Sequence, residues 1–555
     1  MDKIIKIKSK IKNTDQKKRH QEILSAILTN RGITTKISQK EFLDPIDPYK
    51  IQPKDVGINQ KNLKKAVARI KKAIKNKELI YIYGDYDTDG ITSTAVLWET
   101  LHHLKAKVMP YIPSRGDNIR GLSPAGVDQI LTDKDGPCQL IITVDNGIST
   151  FKGTDYANKK NIDVIITDHH QPKTKNNKPI YPKAFSIIHT TKLAGVGVAW
   201  FLARELGNLE TSLELVAIGT IADMVPLTNA NRSLVKFGLK SLKKSKRIGL
   251  NALANISKLD LPNILTYQIS FVLAPRLNAM ARLKHALDSL RLLCTTNQEK
   301  ANQLAKDLNQ TNLERQDKTF KMYFHAKEQW LSYNQPKKKL IFVSHQSYHQ
   351  GVVGLVASRL VEKFYKPAFV VSVGETFSKA SARSIKGFNV LKAIRSIEDL
   401  ILEHGGHKMA AGFTAKNVNL PKIQKRLENL AKDQLTKKQL TPIINIDCEL
   451  KTSDINWDLF NNLQKIKPTG FGNKPPLFIS KQIKLLDFRT VGQNQKHLKL
   501  TLQGPSLQLN AIAFNLGHLA KDLAPNQSLD LIYTLDKNEW NNQKTLQLKV
   551  KQILL

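Results

Sequence analysis

Four short apolar runs recur between helical stretches in the first half of the chain, and each stops at a carboxylate. LIYIYG (79–84) runs into Asp85, LIITV (140–144) into Asp145, VIIT (164–167) into Asp168, and LVAIGTIA (215–222) into Asp223. Apolar runs of this length, separated by segments of helical period such as 91–105, are expected to be strands of a parallel sheet. Continuously apolar strands suit a sheet covered on both faces. Open parallel sheets bind ligands beyond the carboxyl ends of their strands, so the acidic residues are expected on one rim. The first run continues into GDYDTDG with Asp85, Asp87 and Asp89, and the third into His169 and His170. Carboxylates gathered in this way repel one another unless cations lie between them. Oxygen ligands with one or two imidazoles suit Mn²⁺ or Mg²⁺, and two such ions about 3.5–4 Å apart activate a water and steady both oxygens of a phosphoryl displacement. A calcium loop is the competing reading of DxDxD, and it fails because no glutamate occupies the twelfth position and the glycine spacing is wrong.

The remaining sequence divides by texture. Residues 1–78 hold 21 basic and 8 acidic residues and include a helix expected over 61–77. Residues 284–335 read as largely helical. A second α/β unit follows, with strands expected at 339–344 and 368–373 around a helix near 353–363. After about residue 436 the chain turns β-rich (LKLTLQG, LQLNAIAF, LDLIYTL, LQLKVKQILL), which suggests a small antiparallel barrel. At 555 residues, three to four domains are expected at about 150 residues each. The balance of 86 Lys+Arg against 47 Asp+Glu, a surplus of 39, points to a polyanionic partner, nucleic acid before membrane. Only 17 of the basic residues are Arg, so a Lys-rich compositional bias accounts for part of that surplus. Cys138, Cys294 and Cys448 lie too far apart for a disulfide framework or a cysteine zinc site. The apolar stretch 193–203 is shorter than the ~20 residues of a membrane span. MDKIIKIKSKIK has no signal-peptide core, so a soluble cytoplasmic protein is expected.

The motifs GDYDTDG, TVDNGI, TDHH and GTIADMVPL, with NRSLVKFGL behind them, resemble those of the DHH phosphoesterase superfamily. The likeness continues in order through ISFVLAPRLNAMARL, HQGVVGLVASRLVEKFYKPAFVVS, SARSIKGFNV, GGHKMAAGF, GFGNKPPLF and KHLKLTL, covering about residues 50–555. Within the superfamily it is similar to the bacterial 5′→3′ exonucleases specific for single-stranded DNA. The resemblance implies an α/β fold divided into a basic N-terminal segment (1–48), a parallel-sheet DHH catalytic domain (49–283), a helical connector (284–335), a DHHA1-type substrate-binding domain (336–436) and an OB-like single-strand-binding barrel (437–555). It implies two ions, Mn²⁺ or Mg²⁺, held by Asp85, Asp87, Asp89, Asp145, His169 and Asp223, with Asp145 bridging and His170 facing the scissile phosphate. Spacing alone leaves open which histidine ligates. Arg115, Arg276, Ser381, Arg383 and His407 are implied contacts of the DNA, Ser381 and Arg383 forming a pocket for a 5′ phosphate. Asn309 and Gln316 would lie along the strand channel, and Phe478, Phe488, Phe514, Tyr533 and Trp540 are candidates for base stacking or for the barrel core. Two positions depart from the pattern: Arg120 stands where tyrosine is usual, and Ala281 where glycine is usual.

The implied activity is metal-dependent release of 5′-mononucleotides from single-stranded DNA in repair and recombination, by a monomer whose further partners are a single-strand-binding protein and a RecQ-type helicase. An oligoribonuclease would be much shorter and lack the barrel. A cyclic-dinucleotide phosphodiesterase would bring membrane or sensory segments, and a pyrophosphatase has no use for a strand-binding barrel. A non-catalytic scaffold would have lost carboxylates that are all present here.

Overall fold

A computed structural model describes residues 3–114, 121–132, 136–207, 212–332, 338–504, 508–540 and 543–554. It divides into two compact units, one built from Ile5–Ala254, Lys258–Ala274 and Ile444–Leu555, the other centred on Pro275–Ile443. Among the described residues no helix is long and apolar enough to cross a membrane.

In the first unit five parallel strands lie in the order Lys107–Tyr111, Leu79–Gly84, Cys138–Val144, Asp163–Asp168, Ser186–His189. Leu79–Gly84 is buried at every position, as a strand covered on both faces must be. The fourth apolar run departs from the expectation. Leu213–Ala222 is a helix, and Asp223 follows a helix end rather than a strand end. Helices Thr88–His103, Gly195–Glu205 and Asn229–Leu242 pack around it. A helix buried on all sides is apolar on all sides, and over eight residues its sequence cannot be told from a buried strand.

The C-terminal strands form an OB-like barrel. Phe478–Val491 pairs through its second half with His497–Leu502 and through its first half with Ser528–Trp540, its register shifting near Ile483 and Leu485. Most pairings are antiparallel as expected, but Leu509–Ala513 and Gln543–Leu554 run parallel and complete the circuit. Phe478 and Tyr533 are core residues with no exposed surface, Phe488 packs against that core, and Phe514 is exposed.

Residues 1–48, set apart by their charge in the sequence, pack onto this barrel. Strand Ile4–Ser9 lies beside Ile443–Glu449, and helix Gln16–Thr29 sends Ile23, Ile27 and Leu28 into the barrel's own core together with Phe42. Their lysines face water, whereas Ile23, Ile27, Leu28 and Phe42 are buried.

The second unit holds a mixed sheet in the order Glu403–His407, Ala410–Lys416, Phe377–Arg383, Ala368–Val373, Ile341–His345. Only the last two strands are parallel. Helix Gln298–Ser332, 35 residues long, packs Met322, Ala326 and Trp330 against it.

Candidate metal centre

The strand ends Gly84, Val144 and Asp168 bring three carboxylate segments to one rim, and helix Leu213–Ala222 delivers the fourth. Asp87 is the N-cap of helix Thr88–His103, its Oδ1 accepting from the Asp89 and Gly90 amides at 2.9 and 3.1 Å. Asp89, nearly fully buried, accepts from the Gly195 and Val196 amides at 2.7 and 2.9 Å. Those amides open helix Gly195–Glu205, whose positive end favours an anion there. Asp145 sits in the left-handed region at φ 60°, a costly conformation for a non-glycine residue that turns its carboxylate back over the sheet edge.

Two groups of ligand atoms share Asp145: Asp85, Asp87 and Asp145 gather within 4.8 Å of one another, as do Asp145, His169 and His170, and a third group of Asp89, His169 and Asp223 joins them through His169. The His169 Nε2 lies 3.1 Å from Asp145 Oδ1, 3.7 Å from Asp223 and 3.8 Å from Asp89. Both Asp145 Oδ1 and His169 Nε2 are buried without a hydrogen-bond partner, because their close approach lacks hydrogen-bond geometry. Two orphaned lone pairs in a buried acidic cluster are what a divalent cation satisfies. The donor set, oxygens with a neutral imidazole and no thiolate, fits Mn²⁺ or Mg²⁺.

The two histidines are placed differently. Burial, followed by the charge of His170, holds His169 down to about 4, so it is neutral and able to ligate. Burial also opposes charge on His170, but the hydrogen bond and charge of Asp168, with Asp85 and Asp223 behind, outweigh it and lift His170 to about 9. Asp168, a motif residue outside the expected ligand set, accepts from His170 Nδ1 at 2.8 Å and from the His169, His170 and Ile148 amides. It is a positioning residue, and its signal was a carboxylate two places before a histidine.

Burial and the neighbouring carboxylates raise Asp89 to about 7 and Asp223 to about 8, and push Asp145 well above the usual range. A carboxyl that binds its proton more tightly when folded stabilises the fold below its unfolded value and loses that contribution as pH rises through its folded value. The metal-free protein should therefore lose thermal stability as pH rises from about 5 to about 9. Excess Mn²⁺ should remove that slope and, at ~100-fold over its Kd, add about 2.7 kcal/mol. Melting curves in EDTA and in Mn²⁺ across this range check it.

Gly195 is required by close approach, since a Cβ there would lie 2.5 Å from Asp145 Oδ1. Gly195→Ala should displace Asp145 and weaken Mn²⁺ binding roughly 10–100-fold, the range seen when support of a ligand is lost. Calorimetric titration measures it.

The second unit places other candidates on one sheet face. Arg383, Ala410 and His407 form one cross-strand row, and Ser381, Gly412 and Gly405 the next, so the Ser381, Arg383 and His407 side chains share a face. Arg383 donates to Ser381 Oγ at 3.1 Å. The first turn of helix Val353–Phe364 comes so close that a Cβ on Gly354 would lie 2.9 Å from the Arg383 guanidinium and 3.0 Å from Ser381 Oγ. Arg276 Nε donates to Asn309 Oδ1 at 3.0 Å, while Gln316 is exposed. Arg115 and Arg120 lie outside the described residues.

Three family models match in order: the DHH family N-terminal domain at 79–220, the DHHA1 domain at 337–433 and the RecJ OB domain at 446–552. With the acidic rim, this order defines a DHH phosphoesterase with a DHHA1 domain and a barrel. The single-stranded-DNA-specific exonuclease RecJ of Bacillus subtilis is 36% identical over 98% of this chain and 69% of that protein. RecJ of Haemophilus influenzae is 34% identical over 93% and 92%. The crystal structure of Thermus thermophilus RecJ in complex with Mn²⁺ superposes with a TM-score of 0.81 at 29% identity, covering 100% of this chain and 79% of that one. A Mg²⁺ complex of the same protein gives 0.75 at 28% identity, covering 99% and 78%. The chain belongs to the RecJ family.

Proposed function

We propose that this chain is a metal-dependent exodeoxyribonuclease that digests single-stranded DNA from the 5′ end and releases 5′-mononucleotides, serving repair and recombination. The observation that carries the reading is Asp145, whose carboxylate gathers with Asp85 and Asp87 on one side and with His169 and His170 on the other in a chain of the RecJ family. Asp85, Asp87 and Asp145 would hold one Mn²⁺ or Mg²⁺, and Asp89, His169, Asp223 and the shared Asp145 the other. Such a pair lowers the pKa of a water and neutralises charge on phosphate oxygens. His170, kept protonated at neutral pH by Asp168, would donate to a phosphate oxygen of the scissile group. Ser381 and Arg383 would receive the 5′ phosphate, a planar guanidinium suiting two oxygens at once. Arg276 and His407 would contact the strand, and Arg115 would grip its end.

The division of labour follows the expected boundaries, 49–283 for chemistry, 336–436 for the strand end and 437–555 for holding the strand. A cytoplasmic location, action as a monomer, and partnership with a single-strand-binding protein and a RecQ-type helicase complete the proposal. Support for the location comes from family membership and from three free cysteines.

The test uses single strands labelled at either end, a duplex and short RNA, each with Mn²⁺, Mg²⁺ or EDTA. The expected result is metal-dependent loss of the single strand from its 5′ end. Digestion from the 3′ end, or activity that survives EDTA, would sink the mechanism. Arg383→Ala should abolish the preference for a 5′-phosphorylated strand, and equal rates on both ends' chemistry in the parent chain would argue against the pocket.

A further inference from the structure

The groups that support Asp89, Asp145, His169 and Asp223 converge on two short loops that supply no ligand themselves. Residues 192–195 form the first. The Gly195 amide donates to Asp89 at 2.7 Å, and the Gly195 backbone lies so close to Asp145 that a Cβ would meet its Oδ1 at 2.5 Å. The Leu193 carbonyl faces the His169 ring and favours a proton on it. Residues 224–227 form the second loop, directly after Asp223. The chain leaves helix Leu213–Ala222 through Met224 at φ 60°, a left-handed conformation that a non-glycine residue keeps only where its surroundings hold it.

One side chain holds both loops. Asn231, in the first turn of helix Asn229–Leu242, is 4% exposed. Its Nδ2 donates to the Lys192 carbonyl at 2.9 Å and to the Pro226 carbonyl at 3.2 Å. Its Oδ1 is buried without a hydrogen-bond partner among the described residues. Turning the amide over would set that oxygen against two carbonyl oxygens, so the two donors fix the orientation. A buried amide that leaves its acceptor empty carries a desolvation cost, and what offsets it here is the joining of two separate loops. Divalent ions tolerate only about ±0.2 Å in their ligand distances, so a loop that drifts withdraws its ligand from the ion. The donor atoms of Asp89, His169 and Asp223 lie within 4.8 Å of one another, Asp89 and His169 on the side of the first loop and Asp223 on the side of the second.

We propose that Asn231 is a positioning residue of the metal centre. By tying the Lys192 and Pro226 carbonyls together it sets the separation of Asp223 from Asp89, Asp145 and His169, and through it the affinity for the divalent ion those groups hold. The inference rests on the metal-dependent exonuclease reading and adds to it a residue that is not itself a ligand.

The test is a titration of the full chain with Mn²⁺, read as loss of the electron paramagnetic resonance signal of the free ion. Asn231→Ala should weaken Mn²⁺ binding roughly 10–100-fold, the range for loss of a group that orients a ligand. Asn231→Ser, a milder change that keeps one donor, should show a smaller loss in the same direction, and it replaces the alanine variant if that chain does not fold. Asn251 supplies the comparison, since its Nδ2 also joins two carbonyls, those of Ser245 and Arg247, at 3.1 and 3.0 Å, on a segment outside the ligand set. Asn251→Ala should lower the melting temperature and leave the Mn²⁺ affinity of the parent chain. In cleavage of a single strand at a Mn²⁺ concentration that just saturates the parent, Asn231→Ala should lower kcat without changing KM for the strand, and more Mn²⁺ should restore it. Parent-like Mn²⁺ affinity in a folded Asn231 variant would overturn the proposal. So would an equal loss of affinity in Asn251→Ala, which would make affinity a reflection of stability alone. A parent chain that binds no Mn²⁺ would instead strike the metal-centre reading and take this role with it.

Discussion

Asp145→Ala should reduce cleavage of single-stranded DNA by roughly 10⁴-fold or more, about 5.5 kcal/mol of barrier, while binding of the strand persists. The size of the effect follows from position: one carboxylate gathers with Asp85 and Asp87 and also lies 3.1 Å from His169, so its loss disturbs both sides of the cluster at once. Strand binding should survive because its proposed contacts lie in the barrel and the second unit. Stability should move the other way. Asp145 is 2% exposed and faces Asp85, Asp87, Asp89 and Asp223, an arrangement the metal-free fold tolerates only by holding protons. Asp145→Asn keeps the shape and removes the charge. In EDTA near pH 8 the Asn variant should melt above the parent chain, and in Mn²⁺ the order should reverse. A parent chain that melts higher in both conditions would mean that the cluster is a hydrogen-bonded structural feature, not a vacant ligand set.

Arg232→Ala should cost about 3–5 kcal/mol, the range for stripping a buried charged group from its partners. Arg232 is 1% exposed, and among the described residues no carboxylate pairs with it. Its guanidinium donates instead to five backbone carbonyls, those of Phe42, Lys465, Ile466, Lys467 and Pro468, at 2.6–3.3 Å. The Phe42 ring stacks under it at 3.8 Å. Burial and the charge of Arg31 pull its pKa down to about 10, still well above neutrality. One side chain on helix Asn229–Leu242 thus fastens the end of the N-terminal segment and the 465–468 loop to the catalytic sheet's helical layer. Arg232→Lys should recover little, since an ammonium has three donors and no planar fork. Thermal melting of the two variants beside the parent chain measures the difference.

Much of this molecule was legible because its chemistry is written locally. Strand ends that stop on Asp85, Asp145 and Asp168 are separated by helices of ordinary length, and a parallel sheet carries all three to one edge. The role of each histidine was not legible. His169 and His170 are neighbours in sequence, and only the turn that aims one at Asp145 and the other at Asp168 separates them. Asp223 gathers with Asp89 and His169, but it arrives from the end of a buried helix and not from a strand end. The N-terminal segment was misleading in a different way. Its lysines dominate any count, whereas Ile23, Ile27, Leu28 and Phe42 decide where it goes, and their partners lie more than 400 residues downstream.

That distance has a consequence for synthesis. The pair Arg19–Asp454, joined at 2.6 Å, spans 435 residues of chain. At ribosomal speeds of about 5–20 residues per second, the N-terminal helix waits roughly 20–90 s before its partner has been made. For that interval an amphipathic, basic segment stands unfolded or loosely held while the catalytic sheet behind it is complete. The ends of the chain are therefore the last parts to fold, and a ribosome that stops short of the barrel releases a chain whose first helix has nowhere to go.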